Sequence, residues 1–315
     1  MNILQKLMRS LDGFQRNHTV PGFVYGIVKK YGDDEAGYQA ALLTYYGFLS
    51  LFPLLLVATT VVDLLASTHA NLRPTVTNSI NSYFPALGQQ LSGHIGSLHK
   101  TGLALAIGLL GTFYGARGVA DAFRHGMNHI WHIPKEKRLG FPKSQLRSIA
   151  IIVIGGIGFI LAATLASFAT TAGHGWEFKL LSLLINLAIM FCLFIFFIKM
   201  GLPVPIRVAQ IWIGAAVAAV GFVLVQALGG YILTHQMRNL SSLYSSFAVV
   251  LGLLFWIYLQ SQVFFYAMEV TTVHDERLWP RSLAGQDLTK ADKSIYARQA
   301  QEERMVPGEQ INVEV

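Results

Sequence analysis

Five side chains at helical spacing carry the first chemical possibilities in this chain. Arg117 and Asp121 are four residues apart, so they share a helix face and can pair. His125, His129 and His132 continue that face at i+4, i+8 and i+11 from Asp121. Imidazole and carboxylate at such spacing can ligate a transition metal. The ladder, however, climbs about 16 Å at 1.5 Å per residue, long for one compact ligand set. His125 and His129 therefore stand as a metal candidate beside a plainer reading, a polar helix end. Arg117 also has two readings. It anchors an anion (a phosphate, a carboxylate or a lipid head group), or it reaches water from a helix end.

Glu269 is the other candidate. It is the only acid between Glu177 and Asp275. It reads as a proton or cation relay, as a partner for Arg117, or as a group solvated at an interface. Enzyme signatures are missing: the sequence has no Walker loop, HExxH, CxxC or GxSxG. No cofactor is expected, and no enzymatic activity.

The elements that must position these groups are long and apolar. Residues 36–62, 148–176, 180–198, 208–237 and 239–268 hold no Asp, Glu, Lys or Arg. A spanning helix needs about 20 mostly apolar residues, so these stretches read as bilayer segments. Charged residues make up only 13% of the chain, about half the soluble average of roughly 25%. The fold expected is an all-α integral membrane protein. It is a six-transmembrane-helix bundle with amphipathic interfacial helices.

Six spans are expected near Leu42–Ala66, Thr101–Ala122, Ser148–Thr171, Leu180–Ile198, Val208–Leu233 and Tyr244–Thr271. Residues 1–35 form an N-terminal segment with one amphipathic helix, in which Phe23, Val24, Ile27 and Val28 share a face. The membrane domain covers 36–274. Within it, 67–100 repeats apolar residues every three or four positions, as outer amphipathic helices do. Residues 275–315 form a polar tail, helical around Leu288–Glu303. Removing the residues after about Leu288, where few apolar groups could be buried, is expected to leave insertion and folding intact. Pro53 sits inside the first span, where proline removes a backbone hydrogen bond, so a gating kink is expected there.

Lys and Arg placement sets the topology. The N-terminal segment has five, the 123–147 loop six, 199–207 two and the tail six, against four in the other three loops. Basic loops stay inside, so both termini are read as cytoplasmic. This asymmetry accounts for the net charge of +7 without a nucleic-acid partner. Gly108, Gly111, Gly115 and Gly118 form a small-residue ridge that lets helices approach, within one chain or in a homo-oligomer. Trp212, Trp256 and Trp279 read as interfacial belt residues. The lone cysteine, Cys192, has no internal partner for a disulfide.

Three stretches carry a family resemblance: Ala40–Val62, "AALLTYYGFLSLFPLLLVATTVV"; Tyr114–Pro134, "YGARGVADAFRHGMNHIWHIP"; and Ser245–Val270, "SSFAVVLGLLFWIYLQSQVFFYAMEV". In order and spacing they resemble the YihY/virulence factor BrkB family, nearest to its YhjD-type members, over roughly Val20 to His274. The family's Gly-Ala-Glu near the last span reads Ala267-Met268-Glu269 here. The resemblance implies six spans in the bacterial inner membrane. It also implies that the old label ribonuclease BN does not apply, and that transport is the usual suggestion for an activity not yet settled. Together the residues and the resemblance favour a transporter or exporter of an amphipathic or anionic, lipid-like substrate. Arg117, Asp121 and Glu269 are its binding candidates, Pro53 its gate and membrane lipids its partners. An envelope scaffold, or an enzyme acting on lipids through Asp121 and His125, are the alternatives.

Overall fold

The computed structural model describes residues 3–66, 102–171, 175–236, 242–283, 287–309 and 311–312. Among these residues the chain is helical, with no strand. Two short helices come first, α1 (Ile3–Asn17) and α2 (Thr19–Asp33). Six long ones follow: α3 (Ala36–Ala66), α4 (Gly102–Ile130), α5 (Lys143–Thr171), α6 (Trp176–Gly201), α7 (Val208–Gln236) and α8 (Ser242–Glu276). The last is α9 (Lys290–Glu302). The expected segment 67–100 lies outside the described residues.

Three helices are long and apolar enough to cross a membrane among the described residues: Trp176–Gly201, Val208–Gly229 and Val250–Glu276. The expected count of six goes beyond these three. Their surfaces explain why a bilayer is needed. On α6, Leu180, Leu181, Leu183, Leu184 and Ile185 all point outward. A soluble monomer rarely leaves so continuous an apolar patch in water. The inner faces close on one aromatic core. Phe123 of α4 packs on Phe264 of α8 with ring centroids 5.0 Å apart, and Phe194 of α6 packs on Phe222 of α7 at 5.9 Å.

Small residues let α3 and α4 meet closely. A Cβ on Gly115 would fall 2.7 Å from Ser50 Cβ, and one on Gly118 would fall 2.3 Å from a Tyr46 ring carbon. Gly115 and Gly118 of the glycine ridge thus pack within one chain. Trp256 is buried, lying against Gly229, and Trp279 packs on Phe23 at 5.1 Å. These two are packing residues rather than belt residues, whereas Trp212 faces outward.

The helices α1, α2 and α9 gather at one end of the bundle, called the basal end below. The N-terminal segment is two helices rather than one, and its apolar face divides. Phe23 and Ile27 pack on Val273, Leu278 and Ile295, while Val24 and Val28 stay exposed. The polar tail is not a loose appendage. Ile295, Asp292 and Arg281 are fully buried; beyond Leu288 the buried apolar groups among the described residues are few, as expected, Ala291 and Ile295, but charged groups are buried beside them. The composition hid this because charged pairs, more than apolar bulk, fill the joint. Ile295→Ala should cost about 2–5 kcal/mol. Deleting the chain after Leu288 should lower the thermal midpoint in detergent. An unchanged midpoint would show that the tail docks without stabilising.

Candidate functional site

The basal end holds the densest buried charge among the described residues, and α2 begins it. Phe23 and Ile27 seat α2 beside α8, which carries Lys30 beneath the bundle. The Lys30 ammonium donates to Asp34 Oδ2 at 2.5 Å, to Glu269 Oε2 at 2.9 Å and to the Ile130 carbonyl at 2.9 Å. Its three hydrogens are then used. None of the three charged side chains is more than 1% exposed. Burial alone would favour neutral Lys30. The Glu269 and Asp34 carboxylates outweigh it and raise the ammonium's pKa. Glu269 Oε1 has no hydrogen-bond partner among the described residues. One ammonium therefore serves two buried carboxylates.

A second layer comes from the tail. Glu302 of α9 accepts from His129 Nδ1 at 2.8 Å, His132 Nδ1 at 3.2 Å and Arg138 at 2.5 Å. Burial raises the Glu302 pKa, but the hydrogen bonds from His129 and His132 outweigh it and hold the carboxyl at about 2. The bond to Glu302 raises the His129 pKa against the opposing effect of burial. Gln299, one turn earlier, donates to Asp34 Oδ1 at 3.3 Å. His132 Nε2 lies 3.4 Å from Asp34 Oδ1. The two layers therefore meet at Asp34 and His132.

A third knot anchors the start of α9. Arg281 Nε lies 2.6 Å from Asp292 Oδ1, and its guanidinium reaches Asp33 at 2.6 Å. Lys29 adds a bond to Asp292 at 2.9 Å. Thr289 and Asp292 cap α9 reciprocally. Burial pushes the Asp292 pKa up. Arg281, the Thr289 and Ser282 amides and Lys29 together hold it below the usual carboxylate range.

The sequence candidates divide. Glu269 is buried and pairs with Lys30, not with Arg117. Arg117 pairs with Asp121 at 3.5 Å, their side chains 50% and 41% exposed on the flank of α4. Asp121 also accepts from Ser148 of α5 at 3.0 Å, and buried Arg124 bonds Ser144 and Ser148 beside it. The histidine ladder splits with it: His129 and His132 turn to Glu302, while His125 is exposed. Among the described residues no group of three or more His, Cys, Asp or Glu is arranged to hold a metal ion. Pro53 lies inside α3, which continues past it. Sequence reasoning missed Lys30, Asp34, Glu302 and Arg281. The Lys30–Asp34 spacing of four and the Thr289–Asp292 capping pattern were the available signals.

The sequence model of the family described as Virulence factor BrkB matches residues 27–291. The chain belongs to the BrkB family. The match takes in Lys30, Asp34, His132, Glu269 and Arg281, and stops short of Glu302. A UPF0761 membrane protein of Psychrobacter sp. (strain PRwf-1) is 27% identical over 283 residues, 85% of this chain and 51% of that protein. The chain thus spans about half the length of that relative. UPF0761 membrane proteins from Vibrio vulnificus strains YJ016 and CMCP6 are each 24% identical, covering 84% of this chain and 85% of theirs. No solved structure matches. With relatives named as membrane proteins and helices of spanning length, this BrkB-family chain is a membrane protein.

Lys30→Met strands two buried carboxylates and should cost about 3–5 kcal/mol. Adding Glu269→Gln removes one stranded charge and should restore part of that loss, because the two sites share a contact. Thermal or denaturant unfolding of the purified protein in detergent measures both. Equal stability of wild type and Lys30→Met would remove the ion pair as a stabilising element.

Proposed function

We propose that this BrkB-family protein is a transporter or exporter of an amphipathic or anionic, lipid-like substrate in the bacterial inner membrane. The buried Lys30–Asp34–Glu269 cluster carries the reading. Ionisable groups inside a membrane domain are costly and mark ion, proton or substrate paths. Glu269 lies on a helix of spanning length, is fully buried and keeps one oxygen without a partner among the described residues. It is the group that takes up and releases a proton or balances substrate charge. Lys30 holds it in place.

Arg117 supplies the anion contact. Among the described residues its ion pair is the 3.5 Å approach to Asp121, and half of its side chain faces outward from α4. A lipid phosphate can approach it from the bilayer side. Pro53 in α3 serves the gate. Both termini lie in the cytoplasm, with the basal end, and membrane lipids are the partners. No nucleic acid, cofactor or catalytic step enters this mechanism.

The scaffold alternative uses the tail as a binding arm. The burial of Asp292, Ile295 and Glu302 counts against it, because those groups are engaged within the chain.

Proteoliposomes carrying NBD-labelled phosphatidylglycerol test the transport reading. Wild type should move the probe between leaflets, and Glu269→Gln or Arg117→Ala should slow it about tenfold or more. Folded variants that move the probe as fast as wild type would overturn the assigned roles.

A further inference from the structure

The outward face of α2 is the reverse of what water selects. Of the residues in this helix, Thr19, Val20, Val24, Val28 and Gly32 are exposed. The three valines recur every four positions, so they form one stripe, and they are 73%, 53% and 53% exposed. The polar side chains of the same helix turn into the basal joint. Lys30 bonds Asp34 and Glu269, Lys29 bonds Asp292 and the Ser282 carbonyl, and Asp33 accepts from Arg281. A surface helix in water turns its apolar residues to the core and its charges outward. Here the charges lie inside and the outer stripe is valine.

The contacts of α2 set the level at which that stripe lies. Phe23 packs on His274 with ring centroids 6.3 Å apart, and Ile27 packs on Val273. Lys30 then reaches Glu269, and Tyr31 stacks on Tyr266 at 3.9 Å and bonds Gln262. As α2 advances, its partners on α8 recede, so the two helices run antiparallel and the end of α2 near Tyr31 lies deepest.

α7 marks the same turns of α8 from another side. Gln210 donates to Asp275 at 3.0 Å, and a Cβ on Gly214 would meet the Thr271 hydroxyl. Trp212, between them in sequence and facing outward, is therefore level with about Val273. Outward tryptophans near the ends of spanning helices sit at the lipid headgroups. Val24 and Val28 stand three residues before and one after Ile27, within about 5 Å of that level along the helix axis.

We propose that the Val20–Val24–Val28 stripe is a lipid-contact surface, which seats α2 at the boundary of headgroups and acyl chains in the leaflet at the basal end. Continuity favours lipid as the occupant. Tyr31, one turn past Val28, stacks on Tyr266, which is itself exposed, so the stripe joins the outer side of a helix of spanning length. Interfacial helices bury their apolar face about 5–10 Å into that boundary. Leu11 and Phe14 of α1 are exposed as well, but α1 is tied to Arg281 and Leu283, past the end of α8, and is not part of the stripe. α2 is thus held from two sides, by ion pairs toward the joint and by lipid on the outside. This surface does not depend on transport being the activity.

Spin-label accessibility on the full-length protein tests it, in vesicles of phosphatidylethanolamine and phosphatidylglycerol. Labels go on Val20→Cys, Val24→Cys and Val28→Cys, each combined with Cys192→Ser. Wild type labelled at exposed Cys192, in the middle of α6, is the lipid reference, and Glu303→Cys, with Cys192→Ser, is the water reference. Oxygen concentrates among acyl chains, and a neutral nickel chelate stays in water. The Val24 and Val28 labels should meet oxygen more than nickel, as Cys192 does, and the preference should rise from Val20 through Val24 to Val28. A nickel preference at Val24 and Val28, like that of Glu303, would put the stripe in water and overturn the proposal. Low access to both reagents would mean that a second copy or another protein covers it, and would overturn it too. Equal depth at all three sites would refute the placement along α8. Val24→Trp gives an independent reading: its added emission should be quenched by bromine on acyl chains and not by iodide, and the opposite result would count equally against the proposal.

Discussion

The arrangement of the basal end follows from one constraint: a lysine ammonium has been taken out of water. Isolated, such a charge is too costly to bury, so everything within reach must neutralise it or accept its hydrogens. Lys30 recruits Asp34 from the C-cap of its own helix, Glu269 from the last long helix and a carbonyl from the end of α4. Those demands fix where three separate elements end. They also leave more carboxylate than ammonium, and the surplus is what draws in the histidines and the tail.

The membrane-embedded part and the charged part are held by different forces. In the bundle, lipid competes with side chains for apolar contact, so close backbone approach and interlocking rings do the joining. Gly115, Gly118 and Gly229 permit those approaches. At the basal end, water is close enough to make each ion pair an exchange of solvation for contact. Geometry then decides stability, and the short bonds of Arg281, Asp292 and Glu302 show how closely it is met.

The helices were legible because charge-free runs are a composition signal, strong over twenty residues and insensitive to partner. Among the described residues each expected span lies within a helix, though several helices run longer, as α4 does past Ala122 to Ile130. The site was only half legible. Glu269 stood out because it interrupts an apolar stretch. Lys30 did not, since a lysine beside Lys29 in an amphipathic segment looks like ordinary solvated surface. Glu302 and Arg281 sit in a tail whose charge suggests solvent. What buries them is pairing across more than 150 residues of sequence, and spacing along the chain carries no trace of that. The glycine ridge was readable as packing, whereas the inward turn of Trp256 needed its partner on α7 to be seen.

The joint has a consequence for the order in which the protein is made. Glu269 and Glu302 leave the ribosome some 240 to 270 residues after Lys30. Chains are synthesised at about 5–20 residues per second, so α2 waits many seconds for its counter-charges. During that interval its lysine belongs in water, and α2 has no reason to settle against the membrane domain. Assembly of the basal end is therefore a closing event, reached only by a chain whose last helix has been inserted and whose tail has folded back. A truncated or mis-inserted chain would carry Lys30 without the means to bury it, and would display that failure on its surface.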